Sequence, residues 1–307
     1  MKIFDAHCDV LLKMFMDHTI NFNDSAKLQV NLEGLNESGV KVQMFAIYVP
    51  EAIHPELKFN AALHMIDIFY EKILKPFSKM KLIRTKEDYE QLTEGEIGAI
   101  LTLEGCDAIH ADIMKLKTLI RLGVTSVGLT WNYGNSVADG ALEKRGGGLS
   151  RFGKEVVNLL NERKVKCDVS HLSEKGFWDV MEWSALPFAS HSNCFSLCKH
   201  ARNLKDEQIK ALIEKDSVLG ITFVTHFLSM DENVTLSHII NHIDHICELG
   251  GENHVGFGSD FDGTDREIKG LESVRYYDHL MNELLKYYSN EQVRKFAFNN
   301  FSRMFFR

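Results

Sequence analysis

Near its start the chain reads Phe4-Asp5-Ala6-His7-Cys8-Asp9, with an imidazole and a carboxylate two residues apart. Side chains alternate faces along a strand, so an extended segment here would point His7 and Asp9 the same way and let them chelate one ion. Glu104 follows Ile100-Leu101-Thr102-Leu103, an apolar run that should not end in a carboxylate unless something offsets the burial of its charge. His171 closes Cys167-Asp168-Val169-Ser170-His171, and His191 closes Pro187-Phe188-Ala189-Ser190-His191. Singly, each has an ordinary reading as a satisfied core histidine, a helix cap or an ion pair. Together, three imidazoles and two carboxylates form the nitrogen and oxygen donor set that suits zinc. One catalytic zinc needs three protein ligands and an open position, so five donors imply two ions. If Glu104 bridges, His7, Asp9 and Glu104 hold one ion, and Glu104, His171 and His191 hold the other. A hydroxide shared by ions roughly 3.5 to 4 Å apart is then a nucleophile available at neutral pH.

These residues need a scaffold that brings the ends of several strands to one place. Short β-branched or aromatic runs bounded by turn signals predict eight strands: Lys2 to His7, Val42 to Val49, Gly98 to Leu103, Ser126 to Thr130, Val165 to Ser170, Pro187 to His191, Val218 to Val224 and His254 to Ser259. Amphipathic stretches such as Phe152 to Arg163, Lys205 to Lys215 and Leu236 to Leu249 lie between them, and two more helical stretches follow Leu271. Strict alternation of this kind implies right-handed crossovers and a parallel sheet. The count is that of a (β/α)8 TIM barrel, and with no break in composition one catalytic domain over 1–307 is expected. A doubly wound open sheet is the rival. The polar residues decide between them, because His7 and Asp9, Glu104, His171, His191 and Asp260 fall at the C-terminal ends of separate strands, which converge only in a closed barrel.

Composition narrows the partners. The 307 residues carry 35 Lys and Arg against 43 Asp and Glu, a net charge of −8, which argues against a nucleic-acid groove. No apolar run approaches the roughly 18 residues of a membrane span, and no apolar leader follows the first residues, so a cytoplasmic location is expected. The six cysteines are scattered through a chain too long to need stapling and are expected as free thiols.

Three further signals have ordinary readings. Gly148 to Glu155 has the spacing of a phosphate loop but ends in Glu where a hydroxyl must meet Mg²⁺, so a glycine-rich loop leading into a helix from Arg151 is expected. His238, His242 and His245 fall opposite Leu236, Ile239, Ile243 and Ile246 on a helical wheel, which predicts a solvated face rather than a metal site. Phe296, Phe298, Phe301, Met304, Phe305 and Phe306 predict a last helix docked on the barrel, a contact in a homodimer, or both.

With the motifs Asp5-Ala6-His7-Cys8-Asp9, Leu103-Glu104-Gly105, Cys167 to His171, Ala189-Ser190-His191-Ser192, His200-Ala201-Arg202-Asn203 and Gly258-Ser259-Asp260-Phe261-Asp262-Gly263, the chain resembles the membrane (renal) dipeptidase family of zinc metallopeptidases, in its bacterial soluble form. The resemblance runs over nearly the whole chain. It implies a (β/α)8 barrel, two zinc ions bridged by Glu104, and hydrolysis of free dipeptides with tolerance for a D-configured C-terminal residue. It matches Arg202 to the residue that meets the substrate carboxylate, a role suited to a guanidinium fork. It matches Asp260 to the residue that handles the proton near the metals, taking it from the attacking water and delivering it to the leaving amine. Asp262, with Gly263 behind it, is read as a turn residue. One departure stands out: where mammalian members carry a histidine after Leu-Thr, this chain has Trp131, expected as a pocket wall facing substrate. The alternatives are another binuclear amidohydrolase or lactonase, which would usually open with HxH and bridge through a modified lysine, and a catalytically silent metal-binding barrel.

Overall fold

The computed structural model of the chain describes residues 1–23 and 26–307. Among the described residues nine strands form one parallel sheet: β1 Ile3–Asp5, β2 Val40–Tyr48, β3 Met80–Leu82, β4 Ile97–Glu104, β5 Val124–Gly128, β6 Lys166–Asp168, β7 Pro187–Phe188, β8 Leu219–Ile221 and β9 Val255–Phe257. Eight of them run β7-β6-β5-β4-β2-β1-β9-β8, and a parallel bridge from Ala189 to Leu219 joins the two ends into a closed barrel. All eight expected strands are therefore staves: β1, β6, β7, β8 and β9 are shorter than the apolar run suggests, β4 is longer, and β2 and β5 begin and end earlier.

The strand β3 was not expected and is not a stave. It pairs with Ile97 to Ala99 at the start of β4, while β5 takes Leu101 to Glu104 further along, opposite the edge that β4 gives to β2. A helix joins every stave to the next, among them Arg151–Arg163, Glu174–Trp183, Asp206–Glu214 and Leu236–Glu248. The glycine-rich segment leads into the first of these, where Ser150 caps the helix by accepting from the Gly153 N–H at 2.9 Å. No helix among the described residues is long and apolar enough to cross a membrane.

Alternation along the staves sorts two cores. Leu101 and Leu103 of β4 pack with the helices, whereas Ile100, with Phe4, Ala6, Val42 and Met44, belongs to a smaller cluster inside the barrel. The C-terminal segment supplies much of the rest of that inner cluster, beside Ile83, Phe188 and Val218. Phe298, Phe301, Met304, Phe305 and Phe306 are all buried there, with Phe301 stacked on Phe4 at 5.3 Å between ring centroids. The apolar terminus is thus consumed inside the chain, and these rings leave no exposed face for a second copy. Phe301→Ala should cost about 3 to 5 kcal/mol, because the barrel interior has no way to collapse around the missing ring. Urea unfolding measures this, and a loss below about 1 kcal/mol would show that the segment is not part of the core.

The three helical histidines correct the wheel. His242 is buried, its Nδ1 accepting from the Cys194 N–H at 3.0 Å and its Nε2–H donating to the Leu228 carbonyl at 3.0 Å. Burial pulls its pKa down to about 4. His238 caps its own helix at Thr235, and His245 meets Asp206 at 2.8 Å. A wheel finds one apolar face, but loops around Cys194 and Leu228 cover a second side of this helix. Each ring has its own partner, and the three do not converge on a cation.

Candidate active site

The parallel register sets the level of every donor. Tyr48, Glu104 and Gly128 are partners across β2, β4 and β5, and Gly128, Asp168 and Phe188 are partners across β5, β6 and β7. Trp131, His171 and His191 each lie three residues beyond one of these last three, so equal offsets from a level line deliver them to one mouth. Glu104 shares the inward face of β4 with Ile100 and Thr102. On the other side of the mouth, β1 pairs with β9 through Asp5 and Phe257, and the buried Asp5 carboxylate accepts from the Ser259 N–H at 2.9 Å, the Ser259 hydroxyl at 2.7 Å and the His7 N–H at 3.3 Å. That knot places His7 beside Asp260, whose N–H donates to the His7 carbonyl at 3.2 Å.

The side chains meet as a compact cluster. His7 Nε2 lies 3.5 Å from Asp9 Oδ2, 3.5 Å from Glu104 Oε2 and 3.7 Å from Asp260 Oδ1. The other Glu104 oxygen, Oε1, lies 2.9 Å from His171 Nε2 and 3.7 Å from His191 Nε2, and those two nitrogens are 2.9 Å apart. Glu104 therefore stands between two groups with one oxygen toward each.

This cluster fits cations. His7 Nε2 and Asp9 Oδ1 are buried with no hydrogen-bond partner, and Glu104 Oε1 with two imidazole nitrogens crowds electron-rich atoms into one space. Donors from His7, Glu104 and His191, and separately from His7, Asp9 and Asp260, lie within 4.8 Å of one another. Without cations the charges conflict. Burial drives the Glu104 carboxyl far above its usual range and Asp260 up to about 7. Burial disfavours charge on His7 too, but Glu104, Asp9 and Asp260 outweigh it and raise the ring to about 10. Burial leaves His171 and His191 neutral, with pKa values pulled well down. Three carboxyl groups face only Arg202 and a protonated His7, so their full ionisation leaves an excess of negative charge that bound dications would reverse. Gly263 belongs to the same design, since a Cβ there would come within 2.2 Å of Asp9 Oδ2 and 2.6 Å of Asp260 Oδ1.

Two cavities of about 230 Å³ flank His171. One is lined by Tyr48, Trp131, His226 and Phe227 around Asp9, Glu104 and Asp260. Trp131 and Tyr48 are packed with ring centroids 5.0 Å apart, and both line this cavity. The other is lined by Leu172, Phe195, Leu204 and Arg202. Arg202 is buried, its Nη2 donates to the His191 carbonyl at 3.1 Å, its guanidinium lies over the Phe227 ring, and its Nε has no partner. Burial lowers its pKa to about 10, against the pull of Asp260 and Glu104.

Two site features escaped the sequence. Tyr48 could have been found, because it ends a strand at the level of Glu104. Asp262 is more than a turn residue: its buried carboxylate accepts from the Gln29 and Val30 N–H groups at 2.8 and 3.0 Å and pairs with Lys13 at 3.0 Å. Nothing local announces a partner more than two hundred residues away.

Known proteins share this fold. The chain is similar to the crystal structure of dipeptidase AC, a metallopeptidase of family M19, with 28% identity over 99% of this chain and 97% of the other, at a TM-score of 0.93. It is 27% identical to a metallopeptidase from Rhodobacter sphaeroides liganded with a phosphinate mimic of the dipeptide L-Ala-D-Ala, over 99% of this chain and 98% of the other, again at 0.93. The probable dipeptidase PvdM from Pseudomonas aeruginosa, at 20% identity over 98% and 94% of the two chains and a TM-score of 0.88, shares the fold. The model of the membrane dipeptidase family matches residues 1–307 from end to end, and with the barrel and its mouth in view the chain belongs to that family, peptidase family M19.

Proposed function

We propose that this dipeptidase works with two zinc ions, one held by His7, Asp9 and Glu104 and the other by Glu104, His171 and His191, in one catalytic domain spanning 1–307. The observation that carries this reading is the division of Glu104, with Oε2 toward His7 and Oε1 toward His171 and His191. When bound, such ions polarise the scissile carbonyl and make water a competent nucleophile at neutral pH. The protein does the rest. Arg202 holds the C-terminal carboxylate of a dipeptide, Tyr48 and Trp131 wall the cavity on the far side of His171, and Asp260 takes the proton of the attacking water and returns it to the leaving amine. The mimic of L-Ala-D-Ala bound by the Rhodobacter sphaeroides relative supports free dipeptides with a D-configured C-terminal residue as substrates here as well.

The test is chemical. A dipeptide amide should be a far poorer substrate than the acid, and Arg202→Met should impose a similar loss of about 2 to 5 kcal/mol on the acid, since either change leaves one member of a buried charge pair alone. In kcat/KM the two losses should not add. An amide hydrolysed as fast as the acid would remove Arg202 from carboxylate recognition.

A further inference from the structure

Behind the histidine donors lies a second layer of hydrogen bonds that has no part in the steps above. Asp168 ends β6 and is buried. Its Oδ1 accepts from the backbone N–H groups of Ser170 and Ser190, each at 3.0 Å, and its Oδ2 is paired with the Ser190 hydroxyl. A carboxylate only accepts, so the hydroxyl hydrogen is committed to Asp168. The same Ser190 Oγ lies 2.7 Å from His191 Nδ1. With its hydrogen already used, the hydroxyl must accept there, and Nδ1 must carry the ring hydrogen. That leaves Nε2 as a bare lone pair, on the side of the ring that faces His171 and Glu104.

The rest of His191 is clamped as well. Its N–H donates to Ser170 Oγ at 3.1 Å, and its carbonyl accepts from Arg202. The neighbouring His171 has a different partner, with Nδ1 at 2.9 Å from Asn132 Oδ1. We infer that Asp168 and Ser190 are positioning residues that select the Nδ1–H tautomer of His191 and so turn its Nε2 into a metal donor. The inference rests on the reading of His191 as a ligand.

Asp168→Asn tests it sharply, because the amide has one acceptor and the two backbone N–H groups fix where it goes. The amide NH2 is then forced toward Ser190 Oγ, the hydroxyl turns its hydrogen onto His191 Nδ1, and the ring hydrogen moves to Nε2. Zinc titration of metal-free protein should show one of two equivalents weakened about 10- to 100-fold, the range for loss of a partner behind a metal ligand. Ser190→Ala in the Asp168→Asn background should recover part of that affinity, which a simple loss of structure would not do. Nitrogen NMR of histidine-labelled, metal-free wild type gives a readout that no variant can spoil by failing to fold: His191 should be the Nδ1–H tautomer.

An Nε2–H tautomer in the wild type would overturn the proposal, and so would an Asp168→Asn protein that binds zinc like the wild type while His191→Ala does not. Undiminished zinc binding by His191→Ala would overturn the metal-centre reading, and this proposal with it.

Discussion

Asp260→Asn should leave both metal equivalents in place and cut kcat by roughly 10² to 10⁴, the range for losing a general acid and base. The substitution keeps volume and polarity while removing the basic oxygen. Asp260 sits at the edge of the cluster, 3.7 Å from His7 Nε2, and its backbone is held at φ +65° with its N–H bonded to the His7 carbonyl. An amide fits that backbone well, since Asn and Asp are the residues that best tolerate the left-handed region. Affinity for a phosphinate dipeptide mimic should change little, because Arg202 and the aromatic walls are untouched. Zinc content, inhibitor affinity and kcat measured on one preparation separate the outcomes. Lost metal would recast Asp260 as a ligand, which its place beside His7 and Asp9 would explain, and a near-normal kcat would remove it from the mechanism.

Glu104→Gln should weaken both metal sites at once. Wild-type protein is expected to hold about two equivalents of zinc. In the variant, one of the two directions now served by oxygen must be served by an NH2 group, which offers no lone pair to a cation. The remaining amide oxygen carries no net charge, so the site that keeps it is weakened too. The combined loss should exceed the roughly 10- to 100-fold that follows removal of a partner behind a ligand, and hydrolysis should fall with it. Elemental analysis and zinc titration decide the matter. One equivalent lost with the other at full affinity would end the bridging assignment.

Much of this was legible because a parallel barrel converts position along a strand into position in space. Glu104, His171 and His191 could be placed at one mouth from strand ends alone, and the level pairing of Gly128, Asp168 and Phe188 is the reason. What stayed hidden was non-local. His171 and Asp260 adopt φ of +69° and +65°, and no residue near either demands it; the His171 carbonyl is held by the Ala141 N–H at 2.6 Å and the Thr130 hydroxyl at 3.3 Å. The burial of His242 depends on loops far along the chain, and β3 exists because the start of β4 leaves an edge that β5 does not reach. Alternation and wheels describe one element at a time, whereas these features belong to pairs of elements.

The knot between Asp5 and Ser259 joins residues 254 positions apart, and it brings His7 against Asp260. On a ribosome adding about 5 to 20 residues per second, roughly 13 to 50 s separate the emergence of its two halves. During that interval β1 has β2 to pair with but not β9, and His7 and Asp9 lack the neighbours that orient them. The segment that fills the barrel interior, from Phe298 to Phe306, arrives later still. The mouth of this enzyme therefore cannot close until β9 and Ser259 have emerged, and its two halves are synthesised apart.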